Sequence, residues 1–533
     1  SSNQQVKAAI QQVYDEAESP PEMVIICGDT DRGYPMPFFD HRGQNAYPYE
    51  SDHDYIELDG DDILPDAAIG RFCFEGIANG EARLNDIVEK IVSYESDPFI
   101  GEGNQQGWQK RAAFFAGDDR SGLSSIDVCK WSKELLIRND YEEIFERYWG
   151  PGNPRPDGAG WIPQVFNTGI SFFLYRGWTF MNGFRFDAVM NLRNDRMLPF
   201  VILPTCNTGD YSEHISSPFY YSERFLFAPG GGGIGCIGAG GATHTAYNNL
   251  FSAAVFRAVF GANNPYQGWA TEAGKVELYN HYFDRGDIDH EENRGVEAWL
   301  TEFYIFNLIG DPATDLYTDV PMLISVEHPE DLRSGESHYE VTVLDDEDEP
   351  LANARVCFYQ PEELQIVKYT DDEGRVSFDL NPQEIDGDYM LTVTGHNLMP
   401  YQAELEVTQA PVFLGAGEFI VDDDGEGESN GDGDEIANPT ERIELTVEII
   451  NYGEEVPEGA VNITLTPGLP NLEVVAGEVE LEAAPAAGES ADVLFVVDIG
   501  GGFPDEQLAI FNLECTVGET SWISSVSLTL DGP

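Results

Sequence analysis

Leu198-Pro-Phe-Val-Ile-Leu-Pro-Thr-Cys-Asn-Thr-Gly-Asp-Tyr211 is the stretch on which the fold turns. Its centre is a short, uninterrupted apolar run bounded by prolines, and a strand that is apolar on both faces belongs inside a parallel sheet covered by helices. The segment from Thr205 to Tyr211 is a polar, Gly-containing turn that carries a thiol. Ligands of open parallel sheets collect at the carboxyl ends of the strands. Cys206 therefore stands where a nucleophile can be exposed beside backbone N–H groups able to hold an oxyanion. The plain alternative is a buried structural cysteine, the commoner fate of a lone thiol.

Working outward, Met23 to Cys27, Arg111 to Gly117, Gly169 to Tyr175 and Gly233 to Gly238 read as further buried strands. Helical periodicity at Gln4 to Ala17, Leu84 to Tyr94, Ile126 to Arg138 and Asn249 to Phe260 supplies the crossovers that parallel strands require. Residues 1–320 thus read as an α/β domain, a mostly parallel sheet flanked by helices. Past Gly310-Asp311-Pro312 the period changes to two, with turns every 8–12 residues, as in HYEVTVLD and GRVSFDL. Two all-β sandwiches are expected, over 321–409 and 410–533. A chain of 533 residues accommodates three such units.

Acidic residues number 96 against 28 basic ones, a formal charge of −68. Such a field repels phosphate, and no Lys/Arg cluster reverses it locally, which excludes nucleic acid as a partner. With seven Lys to 21 Arg, the composition resembles that of carboxylate-coated proteins that stay soluble in brine or bind calcium. No apolar run approaches the ~18 residues of a membrane span, so membrane insertion is not expected. The seven cysteines lack any C-x-x-C spacing, which speaks against a zinc site.

Hard cations want many oxygens on flexible backbone. Asp422-Asp423-Asp424 and the stretch Asn430 to Glu441 offer them, and calcium ligands are expected among Asp422, Asp424, Asn430, Asp432, Asp434 and Glu441. A solvated acidic turn is the alternative. The segment resembles calcium-dependent sandwich modules of secreted bacterial proteins.

The order of segments in the first 320 residues resembles that of the gingipain-type cysteine peptidases, which have a caspase-like fold. Pro21 to Asp29 resembles the family's first strand, and Ser51-Asp-His-Asp-Tyr55 with Ala68-Ile-Gly-Arg-Phe72 its next block. Leu198 to Tyr211 resembles the catalytic Cys segment, and Leu308 to Pro312 the stretch that closes the peptidase before an immunoglobulin-like domain. The resemblance implies that Cys206 is the nucleophile, that the substrate is a protein or peptide, that the chain is extracellular or on the cell surface, and that both sandwiches are immunoglobulin-like. It also implies a pro-domain ahead of the first helix. In the family the general base is a His in a Gly-His-Gly turn. The matching stretch here is Tyr175-Arg-Gly-Trp-Thr179, so Trp178 takes that place, and indole accepts no proton.

Among nine histidines, His244 follows the Gly233 to Gly238 strand and is the candidate base, with His214 behind it, or no base exists. His244 also suits a helix-initiating residue that bonds backbone. His53 suits calcium or a structural hydrogen bond, and Asp52, Asp54, Asp118 and Asp119 suit structural calcium or pairing with Arg71 and Arg120. Two functions follow: a cysteine endopeptidase acting by thiolate acyl transfer, or a catalytically silent gingipain-like domain serving as a structural or adhesive component with self-assembly contacts. A carbohydrate-binding role rests only on the sandwiches and their aromatic residues.

Overall fold

The computed structural model describes the chain apart from residues 1, 18, 31–34, 43–47, 75–79, 118–121, 151–153, 180, 213–220, 284–297, 334–337, 362–363, 381–387, 504–506 and 531–533. It divides into two compact units, Ser1–Pro321 and Met322–Pro533. His214, Asp118, Asp119 and Arg120 lie outside the described residues.

In the first unit the strands are β1 (Met23–Cys27), β2 (Phe39–Arg42), β3 (Pro48–Ser51), β4 (Ala68–Phe72), β5 (Arg111–Ala116), β6 (Glu143–Tyr148), β7 (Phe172–Arg176), β8 (Phe200–Leu203), β9 (Gly235–Ala239) and β10 (Phe306–Gly310). The helices are α1 (Asn3–Glu16), α2 (Gly80–Ser96), α3 (Ser124–Ile137), α4 (Gly158–Thr168), α5 (Phe186–Val189), α6 (Tyr221–Phe227), α7 (Thr245–Gly261), α8 (Gln267–Tyr282) and α9 (Ala298–Ile305). Eight strands form one sheet in the order β1-β4-β10-β9-β8-β7-β5-β6. β6, β5, β7, β8 and β9 run parallel to one another, as do β1, β4 and β10, and the two groups meet antiparallel at β9 and β10. This is the mostly parallel sheet flanked by helices that the apolar runs lead one to expect, and the resemblance implied its caspase-like form.

Alternate residues of each central strand enter opposite cores, as a period of two demands. Phe114, Phe172, Leu174, Phe200, Ile202 and Ile237 pack with Ile87, Cys129, Phe251 and Phe303 on one face. Phe115, Phe173, Tyr175, Val201, Leu203 and Cys236 pack with Trp161, Phe166 and Phe225 on the other. Because β7, β8 and β9 are sheet neighbours, the turns at their carboxyl ends adjoin. Gly209 and Gly238 meet there backbone to backbone: a Cβ on Gly209 would lie 2.5 Å from the Gly238 carbonyl carbon, so no side chain fits.

The second unit holds two separate apolar cores. One gathers Tyr339, Val341, Val356, Phe358, Leu391 and Val393 between a three-stranded and a four-stranded sheet. The other gathers Ile443, Leu445, Val447, Phe495, Phe511 and Leu513 between two four-stranded sheets. Strict alternation of burial along Arg442–Asn451 shows why a half-apolar strand sits with one face inward.

Candidate active site

The turn after β8 is held by its own polar atoms. Thr205 N–H donates to Leu203 O (2.7 Å), and the Thr208 hydroxyl lies 2.6 Å from Leu203 O and 2.8 Å from Thr205 O. Asn207 adopts φ 53°, a left-handed conformation that Asn tolerates, and its N–H donates to Gly241 O at 2.8 Å. From the turn after β7, the Thr179 hydroxyl donates to Cys206 O (3.2 Å). Cys206 is left half-buried. Cys73, Cys129 and Cys236 are sealed, and burial pushes their thiols up.

The sulfur faces the segment leading into α7. Thr243 N–H donates to Cys206 Sγ at 3.2 Å, and the Thr243 hydroxyl is 3.5 Å away. The Asn248 amide in turn donates to that hydroxyl (2.8 Å). His244 is the N-cap of α7: its Nδ1 accepts the Ala246 N–H (3.3 Å), while its own N–H donates to Glu302 Oε1 on α9. A neutral ring that accepts at Nδ1 carries its proton on Nε2, a tautomer assigned from this bond. Among the described residues, no imidazole nitrogen hydrogen-bonds the Cys206 sulfur. Glu302 is buried, its Oε2 has no hydrogen-bond partner among the described residues, and burial lifts its carboxyl well above the usual range against the opposing pull of the His244 N–H and Arg176.

Trp178, in the turn after β7, is 40% exposed, and its carbonyl accepts from Tyr175 OH. Two residues earlier, the buried Arg176 guanidinium reaches Pro204 O (2.6 Å), Thr245 O (3.2 Å) and Asn249 Oδ1 (2.7 and 3.1 Å). Burial pushes its pKa down to about 10. Sequence reading passed over Arg176, Thr243, Asn249 and Glu302. Only the Thr-His-Thr run before α7 carried a signal, since polar residues there mark a helix start.

His53 lies elsewhere, buried, with Nε2 on Ile63 O (2.8 Å) and Nδ1 3.3 Å from both Glu272 and Lys275. Asp52 pairs with Arg71, and Asp54 with His41. All are internal ties of the first unit.

In the second unit, carboxylate oxygens of Asp423, Asp432 and Asp434 all lie within 4.8 Å of one another and could hold a metal ion. Asp423 is buried. Burial works to raise its pKa, but N–H groups of Gly433, Glu435 and Asp434 outweigh it and keep the carboxyl below its ordinary value. The other expected ligands engage backbone: Asp422 accepts from Asp424 N–H, Asp424 from Glu426 N–H, Asn430 from Arg442 N–H and Glu441 from Asn438 N–H. Asp423, which the sequence reading left out, thus takes a central place.

Three comparisons place this geometry. The crystal structure of the Arg-specific cysteine proteinase gingipain R superposes with a TM-score of 0.62 at 20% identity, covering 76% of this chain and 88% of that one. The complex of the pro- and mature domains of Porphyromonas gingivalis RgpB gives 0.62 at 19%, covering 76% and 90%. A structure described as a protease gives 0.61 at 17%, covering 76% and 87%. No protein of curated function matches the chain. The family model for peptidase family C25 matches residues 1–317, and with the caspase-like sheet and the half-buried thiol at its rim in view, the chain belongs to peptidase family C25, the gingipain family.

Proposed function

We propose that the first unit is a cysteine endopeptidase in which Cys206 is the nucleophile and His244 the proton-transfer partner. The half-buried sulfur at the carboxyl end of β8, facing a donated N–H at the start of a 17-residue helix, is the observation that carries this reading. A backbone donor and a helix N-terminus both favour an anionic sulfur. The thiolate adds to the peptide carbonyl, and N–H groups of Cys206 and Gly177 receive the oxyanion. His244 hands the leaving amine the proton it took from the thiol, and water then cleaves the thioester, releasing the acid and the thiol. For His244 to take part, its ring must release the Ala246 N–H and turn to the sulfur. In the second unit Asp423, Asp432 and Asp434, with Asp422, Asp424, Asn430 and Glu441 around them, bind calcium, whose preference for oxygen fits this donor set. Both sandwich regions are immunoglobulin-like and serve as stalk or targeting modules of an extracellular or cell-surface protein.

The second reading, a catalytically silent structural or adhesive domain, is favoured by two observations: Trp178 in place of the family's His, and a His244 Nδ1 engaged in capping. Turnover of a peptide library decides between them. Cleavage by the wild type that disappears in Cys206→Ala supports the peptidase, whereas no cleavage, or equal cleavage by both, supports the silent domain.

A further inference from the structure

Arg176 is 1% exposed, and its guanidinium donates only to uncharged acceptors, the carbonyls of Pro204 and Thr245 and the amide oxygen of Asn249. No carboxylate among the described residues pairs with it. A buried cation without an anion in contact is costly, so its retention at the end of β7 calls for a reason. The two segments that grip the guanidinium also bracket the sulfur. Pro204 lies two residues before Cys206, and Thr245 two residues after Thr243, whose N–H meets Sγ. The ionisable groups whose charges act on Arg176 are, strongest first, Cys129 on α3, Glu302 on α9, Tyr175 beside it on β7, and Cys206. Burial disfavours the charged form of both Cys129 and Glu302. Of these four, Cys206 is the one that is not fully buried.

We propose that Arg176 is a positioning residue for Cys206: it ties the Cys206 turn to the first turn of α7, and its fixed charge is the counter-charge to the thiolate. In Cys–His enzymes an imidazolium performs that duty. Arg accepts no proton, so it supplies charge and leaves proton transfer to another group. The inference rests on reading Cys206 as the nucleophile.

The test is the rate at which iodoacetamide alkylates Cys206 in the full chain at pH 7, with the site located by peptide mass spectrometry. Arg176→Gln slows the reaction about tenfold or more, while Arg176→Lys, which keeps a cation, stays within about threefold. Asn249→Asp keeps the acceptor for both guanidinium bonds and adds the missing anion, so it slows alkylation while the melting temperature holds or rises. A merely structural brace predicts the opposite for Asn249→Asp, because the brace is strengthened. Should Arg176→Gln fail to fold, Asn249→Asp decides alone. Wild-type rates in Arg176→Gln and Asn249→Asp, or equal slowing in Arg176→Gln and Arg176→Lys, overturn the inference and leave the nucleophile reading standing. A wild-type Cys206 that resists alkylation altogether overturns both.

Discussion

Replacing Arg71 by Met removes five donors from the interior at once. Nε and Nη2 grip the two oxygens of Asp52 at 2.6 Å each, Nη1 reaches Gly28 O (2.9 Å) and Met36 O (3.2 Å), and Nη2 also reaches Pro37 O (3.0 Å). Every N–H of the guanidinium is used, and both partners are buried. Burial by itself lowers the Arg71 pKa, yet Asp52 more than reverses this and the value ends well above the ordinary one. Taking away one member of such a pair leaves a buried carboxylate uncompensated, which costs about 3–5 kcal/mol. With a urea m-value of about 3 kcal/mol/M, the midpoint for the first unit falls by about 1–1.7 M. The assay is urea unfolding of the full chain followed by tryptophan fluorescence, with Asp52→Leu/Arg71→Met alongside. The double variant recovers part of the loss, since the orphaned charge is gone. A midpoint shift below about 0.3 M, roughly 1 kcal/mol, would refute the claim that this pair organises the edge of the sheet.

Glu302 gives a pH test. Its folded-state carboxyl holds the proton more tightly than the ordinary value of 4.5, so wild-type stability declines as pH rises from the unfolded value towards the folded one. Glu302→Gln keeps an acceptor for the His244 N–H and loses that decline, so its melting temperature relative to wild type rises between pH 4 and pH 8; a constant difference contradicts this. Calcium at a hundredfold excess over Kd stabilises the second unit by about 2.7 kcal/mol. Calorimetry with calcium and with EGTA should show the gain in wild type and not in Asp423→Asn. Trp178→His leaves the backbone bond from Tyr175 OH intact and restores an imidazole to the turn after β7. If proton transfer is what the site lacks, peptide turnover rises, by as much as the ~10²–10⁴-fold worth of a general base. No change in turnover speaks against that deficit.

How much of this was readable from sequence depends on whether a feature is local. The run Phe200–Leu203 and the polar turn behind it mark a buried strand and a thiol at its carboxyl end without any tertiary knowledge. Asp52 and Arg71 lay in the one block, Ser51 to Tyr55 with Ala68 to Phe72, that resembled the family, and their pairing was one of the two roles expected for Asp52. The apolar run 298–310 was different: it splits into α9 and the antiparallel β10, and periodicity does not divide a continuous apolar stretch between helix and strand. Its strand half is defined by pairing with β9, Phe306 opposite Ala239, a contact between residues far apart in sequence. Among the three consecutive aspartates, inward direction is decided by where the strand Leu414–Asp422 stops, so Asp423 turned in where Asp422 and Asp424 had been expected. Arg176 gave no signal, because a cation at a strand end is ordinarily solvated, and its burial follows from α7 covering it.

Adduct mapping puts the nucleophile to the most direct trial. The full chain is treated with a peptidyl chloromethyl ketone, and the modified cysteine among the seven is identified by mass spectrometry. The account predicts one adduct, on Cys206, that a competing peptide suppresses and Cys206→Ala abolishes. Modification of Cys27 or Cys357 in its place, or no adduct with the protein folded, would contradict it.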